Sequence, residues 1–314
     1  MNIWTLGDAV VDLLPLADMQ FEACAGGAPV NVAAGAARLS CQSGFIGCVG
    51  DDPFGHFMQQ TLHEYGVDTS SMAFSSEYRT STVVVSLGKQ GERDFTFLVN
   101  PSADQFLPVT SLPQFGADIL HFCSLALVAE PCRETLAQAV KQVTAAQGVV
   151  SFDINLREQM WRDPEQMYNQ VYHFAQQADI LKLSEEEWYW LSKIHHFADA
   201  IAFLQQFPAE LKVVTYGAQG AMVLWKGQVI HFSGYEVQSV DTTGAGDAFM
   251  AGLLAGIAQN GIPDEFSALQ RLITQASACG ALATTKKGAL AATPDKDAVA
   301  GFISALPIPG YEVK

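Results

Sequence analysis

Short apolar segments recur along this chain at residues 1–6, 43–49, 119–123, 148–153, 180–183, 211–215 and 221–224, and stretches with helical spacing separate most of them. Alternation of that kind commits a chain to βαβ units and a doubly wound, mostly parallel sheet flanked by helices, an α/β fold. Helical spacing stands out at 29–39, 131–146, 164–177 and 248–259. With 314 residues, 49% of them hydrophobic, there is ample core, and no repeat, low-complexity tract or linker divides the sequence. A single domain over 1–314 is therefore expected. One region departs from the alternation. Residues 80–87 and 94–99 are β-rich and flank Gly88-Lys-Gln-Gly91, which reads as an antiparallel hairpin. It forms either an extra edge of the main sheet or, joined by the segment after Asp12, a small separate β-sheet over about 12–27 and 78–103 that serves as a lid.

Composition removes several function classes. A net charge of −16 argues against attraction to nucleic acid or to an anionic membrane, so any anionic ligand must be held locally by backbone amides and a few cations. Gly, Ser or charged residues break the apolar runs before they reach spanning length, and Asp8 and Asp12 interrupt the N-terminal stretch, so neither a transmembrane helix nor a signal peptide is expected. The six cysteines contain no C-x-x-C pair and no histidine at zinc-site spacing. They read as reduced thiols of a cytoplasmic protein.

The richest chemical signal is Asp241-Thr-Thr-Gly-Ala-Gly-Asp247, which leads into a helix-like stretch. Small residues before a helix let free N–H groups approach an anion, and the helix dipole adds to the attraction. Gly244, Ala245 and Gly246 can thus form an anion hole for a phosphoryl group, with Asp247 placed to take a proton from an attacking hydroxyl. Taken alone, Asp247 reads equally as a helix cap and the glycines as a turn.

Together with Gly26-Gly-Ala-Pro-Val-Asn31, that run resembles the signatures of the ribokinase-like (PfkB) family of carbohydrate kinases, and the resemblance extends over essentially the whole chain. Within the family, Gly7-Asp-Ala-Val-Val-Asp12, Phe45-Ile-Gly-Cys-Val-Gly-Asp-Asp-Pro-Phe-Gly55 and Asn100-Pro-Ser-Ala-Asp104 are most similar to bacterial fructokinases, and aminoimidazole riboside kinases share much of the pattern. The resemblance implies an ATP-dependent sugar kinase with Asp247 as general base. It implies that Asp12, Gly27 and Asn31 bind the sugar, that Phe97 covers it, and that Arg157 reaches the substrate or the transferred phosphate. Asp and Asn suit hydroxyls, and Arg suits phosphate through its permanent charge and its fork of donors.

For the nucleotide, the resemblance implies Lys182, Glu187, Thr215, Gly217 and Gly220, with Glu187 organising Mg²⁺ through its water shell. Ser184 stands where the family usually carries Asn, which weakens that position more than Glu187; an acidic first helical turn is the plainer account of residues 185–187. Asp241 and Thr243, with carbonyls near Ala283, Lys286 and Gly288, resemble a monovalent-cation site suited to K⁺.

Other readings fail on particular residues. Gly88-Lys89 is followed by Gln90, so there is no Walker-type loop, and the chain after Leu6 lacks the Gly-x-Gly-x-x-Gly of a dinucleotide site. A non-catalytic sugar sensor would have no need of Asp247 behind an intact glycine loop. Expected partners are a small sugar and ATP, with a homodimer through the lid.

Overall fold

The computed structural model describes residues 1–87 and 93–313. The chain begins with β1 (Ile3–Leu6), β2 (Val10–Pro15), β3 (Phe21–Gly26), α1 (Ala28–Arg38), β4 (Ser43–Gly50), α2 (Pro53–Glu64), β5 (Met72–Ser75), β6 (Ser81–Leu87) and β7 (Arg93–Phe97). It continues with β8 (Ile119–Cys123), α3 (Cys132–Ala145), β9 (Val149–Asp153), α4 (Pro164–Ala175), β10 (Ile180–Ser184), α5 (Glu185–Ser192), α6 (Phe197–Gln205) and β11 (Leu211–Thr215). The last part is β12 (Gly220–Trp225), β13 (Gln228–Ser233), α7 (Ala245–Asn260), α8 (Phe266–Ala283), α9 (Ala289–Ala292), α10 (Lys296–Ala305) and β14 (Tyr311–Val313).

Ten strands form one sheet in the order β14-β13-β12-β11-β10-β9-β8-β1-β4-β5. Neighbours from β5 through to β11 run parallel, and β12, β13 and β14 continue antiparallel. The chain leaves β1 toward β4 on one side and later returns to β8 on the other. The strand order therefore reverses at β1, and the crevice beyond the carboxyl ends of β1 and β8 is where an open α/β sheet binds its ligand.

Strand β1 shows why the sheet must be covered on both faces. Ile3 and Leu6 are both fully buried but face opposite ways: Leu6 joins the core under α3 and α4, and Ile3 joins the core under α1, α7 and α8. Helix α7 carries no polar stripe because every residue from Ala248 to Ile257 is buried. Its glycines admit α8 closely; a Cβ on Gly252 would lie 2.8 Å from Cys279 Sγ.

The β-rich segment that breaks the alternation pairs with β2 and not with the ten-stranded sheet. A separate four-stranded sheet has the order β3-β2-β6-β7, with β2 and β6 parallel and both outer pairs antiparallel. The turn expected at 88–91 lies outside the described residues. Asp52 ties this sheet to the body. As N-cap of α2 its Oδ1 accepts from the N–H groups of Phe54 and Gly55, while its carboxylate also accepts from the Thr80 N–H at 2.9 Å and the Thr80 hydroxyl at 2.7 Å, just before β6. All six cysteines are free, and no helix among the described residues is long and apolar enough to cross a membrane.

Candidate active site

Helix α7 begins at Ala245, three residues earlier than its spacing suggests, so Asp247 lies within the first turn and not ahead of the helix. Gly244 is the N-cap with φ 76°, a left-handed backbone that glycine adopts without strain, and a Cβ there would meet Ala289 at 2.7 Å. The Ala245 N–H is committed to the Thr242 carbonyl at 3.2 Å. Among the described residues the N–H groups of Gly244, Gly246 and Asp247 have no acceptor, which leaves them for an anion at the positive end of α7.

Asn31 donates from Nδ2 to Asp247 Oδ2 at 2.7 Å. Helix packing sets that distance. Gly35 on α1 abuts Ala251 on α7, where a Cβ on Gly35 would stand 2.6 Å from the Ala251 Cβ; Asn31 and Asp247 each lie four residues, about one turn, before that contact. Gly35→Val should wedge the helices apart at a cost of roughly 1–3 kcal/mol. Its midpoint in thermal melts is expected to fall, and turnover at this site to fall by about 10²-fold through misplacement of the Asp247 carboxylate, more than any KM changes. Steady-state kinetics and melts on the same preparation check both.

Behind these N–H groups lies a buried ion pair. Lys182 and Asp153 are register partners on β10 and β9, and Lys182 Nζ donates to both Asp153 oxygens, at 3.0 and 2.8 Å. A Cβ on Gly246 would sit 3.4 Å from that Nζ, so the ammonium backs the start of α7. Burial works against the charge on Lys182, but Asp153, Glu187 and Asp247 outweigh it and hold the lysine above its ordinary value. Burial raises Asp247 above the ordinary carboxylate value, opposed by the Asn31 hydrogen bond and by the charges of Lys182 and Arg157.

The remaining sequence-predicted residues separate into groups. Asp12 and Gly27 lie near one another at the junction of β2, β3 and α1; a Cβ on neighbouring Gly26 would meet Asp12 Oδ2 at 2.5 Å, and Gly27 has φ 104°. Phe97 ends β7 opposite Val83. Arg157 is exposed and donates to the Leu156 carbonyl at 2.9 Å, with no ion pair to Glu158 or Asp163 among the described residues. Its charge is felt at Asp247 and Asp8.

Thr215, Gly217 and Gly220 line a cavity of about 540 Å³ with Tyr235, Phe249, Gly280 and Thr284, and the cavity reaches Ala245 and Gly246. Lys182 and Glu187 do not line it. Glu187 forms a capping box with Ser184 at the start of α5, and its carboxylate takes the N–H of Ser184 and of Leu156, both at 2.7 Å. Asp241 Oδ1 accepts from the Thr243 N–H and hydroxyl, and its Oδ2 accepts from the Gly288 N–H at 2.9 Å, so it knits the loop before α7 to the one before α9. Among the described residues the carbonyls of Ala283, Lys286 and Gly288 have no donor.

Asp8, Asp104 and Asp153 were not singled out by sequence reasoning, although Asp8 and Asp153 sit at the carboxyl ends of β1 and β9, where ligand groups concentrate. The apolar wall of the cavity, Tyr235 and Phe249 included, left no local signal.

A nucleotide-sized cavity leading to free N–H groups, with a hydrogen-bonded carboxylate beside them, defines a phosphotransferase that acts on a hydroxyl. The model of the pfkB family of carbohydrate kinases matches residues 3–296, and the chain belongs to that family. It is 52% identical over 298 residues to a fructokinase of Klebsiella pneumoniae, covering 94% of this chain and 97% of the relative. The fructokinase of Vibrio cholerae O395, solved with fructose, ADP and a calcium ion, superposes with TM-score 0.91 at 44% identity, covering 96% of this chain and 98% of that one. The aminoimidazole riboside kinase of Salmonella enterica, solved with its riboside and an ATP analogue, gives TM-score 0.90 at 35% identity, covering 97% of this chain and 100% of that one. The enzyme is thus a carbohydrate kinase that moves a phosphoryl group from a nucleotide to a sugar hydroxyl.

Proposed function

We propose that this kinase converts ATP and D-fructose to ADP and D-fructose 6-phosphate. The observation that carries the reading is the 2.7 Å bond from Asn31 to Asp247 Oδ2, which leaves Oδ1 free beside the unpaired N–H groups of Gly244, Gly246 and Asp247. The sugar sits among Asp12, Gly27, Asn31, Phe97 and Arg157. Its 6-hydroxyl oxygen attacks the γ-phosphorus, the bond from that phosphorus to the β,γ-bridging oxygen breaks, and the hydroxyl proton passes to Asp247 Oδ1. Negative charge on the moving phosphoryl meets the amides at the start of α7 and the ammonium of Lys182 behind them.

ATP occupies the 540 Å³ cavity, its phosphates running past Gly217 and Gly220 toward Gly246. Mg²⁺ would neutralise phosphate charge when bound. Both Glu187 oxygens already accept backbone N–H groups, so that ion is held chiefly by phosphates and water, with Glu187 acting at a distance. Asp241, Thr243 and the donor-free carbonyls of Ala283, Lys286 and Gly288 offer the all-oxygen set that suits K⁺. The small sheet over 12–27 and 78–103 acts as a lid within one domain spanning 1–314. Exposed Leu16, Met19 and Leu98 give it an apolar surface for a second copy of the chain, and free thiols suit a cytoplasmic enzyme.

A coupled assay for ADP release with fructose, ribose, glucose and aminoimidazole riboside tests the reading. Fructose is expected to give the highest kcat/KM, with phosphorus NMR placing the phosphate on carbon 6. A higher value for aminoimidazole riboside would reassign the substrate, and sugar binding without turnover in Mg²⁺ and K⁺ would sink the kinase reading. Sedimentation at micromolar concentration decides between dimer and monomer.

A further inference from the structure

The proposed mechanism uses Asp247 and Asp12 as its carboxylates at the sugar, yet Asp8 and Asp104 each carry a further buried carboxylate oxygen, Oδ1, with no hydrogen-bond partner. Asp8 follows β1 at the point where the strand order reverses, is 4% exposed, and its Oδ1 has no hydrogen-bond partner. Asp104 lies in the 3₁₀ turn Ala103–Phe106 that follows β7, a turn anchored by the Ala103 N–H on the Arg79 carbonyl; its Oδ1 is also buried and unpartnered. Asn31 repeats the pattern: at 6% exposure, with Nδ2 committed to Asp247, its Oδ1 is buried without a donor. Three buried acceptors without donors in one region are costly to the free protein, and a ligand rich in O–H donors is what removes that cost.

Position ties them to the sugar. Of the charged groups acting on Asp8, Asp104 is the strongest, followed by Arg157 and then Asp247, and the turn that carries Asp104 packs against β4, the strand beside β1. Gly27, a residue of the proposed sugar pocket, opens the way: a Cβ there would stand 3.2 Å from Asp8 Oδ2 and 2.6 Å from the Asp8 carbonyl, and the absence of a side chain leaves that edge accessible. Burial first, then the charge of Asp104, pushes Asp8 up to about 7, so near neutral pH its carboxyl can exchange roles between acceptor and donor as a hydroxyl requires.

We infer that Asp8 and Asp104 form a second hydroxyl-binding station, which holds sugar hydroxyls other than the one phosphorylated and thereby fixes which sugars are accepted. The inference rests on the sugar-kinase reading above and assigns the part of the pocket that reading leaves empty. A site built to receive a hydroxyl penalises the analogue that lacks it far more than an apolar wall penalises an extra group, so discrimination should concentrate here.

The test uses the full chain, as wild type, Asp8→Asn and Asp104→Asn, with D-fructose and its singly deoxygenated analogues as probes. Each variant is expected to raise the KM for fructose about ten- to a hundredfold, leave the KM for ATP within about twofold, and change kcat by less than about threefold. On the analogue that lacks the contacted hydroxyl, wild type and variant should perform alike. That convergence is something a merely structural role would not produce. The inference is overturned if both variants keep the wild-type KM for fructose, which would leave the free oxygens as hydrated bystanders. It is equally overturned if the penalty is the same on every analogue, or if the KM for ATP moves with that for sugar. Should Asp8→Asn fail to fold, Asp104→Asn decides alone. A wild-type protein that neither binds nor phosphorylates fructose would remove the sugar reading itself, an outcome seen before any variant is compared.

Discussion

Asp247→Asn is expected to lower kcat for sugar phosphorylation by about 10²- to 10⁴-fold, the range for loss of a positioned general base, while the dissociation constant for sugar stays within about tenfold. The amide preserves the shape of the carboxylate, and its oxygen can still accept from Asn31, so the α1–α7 contact survives and only proton acceptance is lost. The pH profile adds a second signature. Asp247 must be ionised to act, and burial holds its carboxyl above the ordinary carboxylate value, so activity of the native enzyme falls on the acid side at a pH higher than a solvated aspartate would give. In Asp247→Asn that acid limb should disappear from the residual rate. Equal loss of sugar binding and turnover would instead make Asp247 a structural cap.

How much of this was legible beforehand depends on whether the information is local. The glycine run before α7 announces an anion site because free N–H groups at a helix start follow from the residues themselves, whichever turn begins the helix. What local spacing concealed was the division of labour: Ala245 spends its N–H on Thr242, and the free donors fall at Gly244, Gly246 and Asp247. Ser184-Glu-Glu-Glu187 carries the Ser-x-x-Glu of a capping box in plain view, and the structure forms it, so the two Glu187 oxygens are engaged with backbone before any ion arrives.

Asp153 and Lys182 are twenty-nine residues apart and meet only through strand register, which no window of sequence contains. Asp8 is an intermediate case. A carboxylate directly after an apolar strand and a glycine is a recognisable cue in a parallel sheet, but the charge of Asp104 reaches it only because the turn after β7 packs against β4. The small sheet was readable as a β-rich interruption, whereas its parallel pairing of β2 with β6, like the Asp52–Thr80 tie across twenty-eight residues, joins segments that no sequence window contains together.

The second large effect belongs to the buried pair behind the phosphoryl site. Lys182→Met should destabilise the fold by roughly 3–5 kcal/mol, the usual consequence of removing one member of a buried ion pair and leaving the other charge uncompensated. The sign of its pH dependence follows from Asp153. Burial already raises that carboxyl to about 6 against the pull of Lys182, and loss of the ammonium raises it further. A carboxyl raised above its unfolded value destabilises the native state once the pH exceeds the unfolded value, and that cost stops growing above the folded one. The variant's deficit relative to wild type should therefore be largest near pH 8 and shrink as the pH falls through the raised value of Asp153, which urea denaturation at several pH values would measure. Lys182→Met/Asp153→Asn should recover most of the stability, since the pair is removed together. It should not recover turnover, because in the proposed mechanism the ammonium 3.4 Å from a Cβ built on Gly246 also meets the charge arriving on the phosphoryl group, and loss of one such stabiliser costs about 10²–10³ in kcat. A double variant that regained both would reduce Lys182 to a partner for Asp153 and leave the amides of α7 to stabilise the transferred group alone.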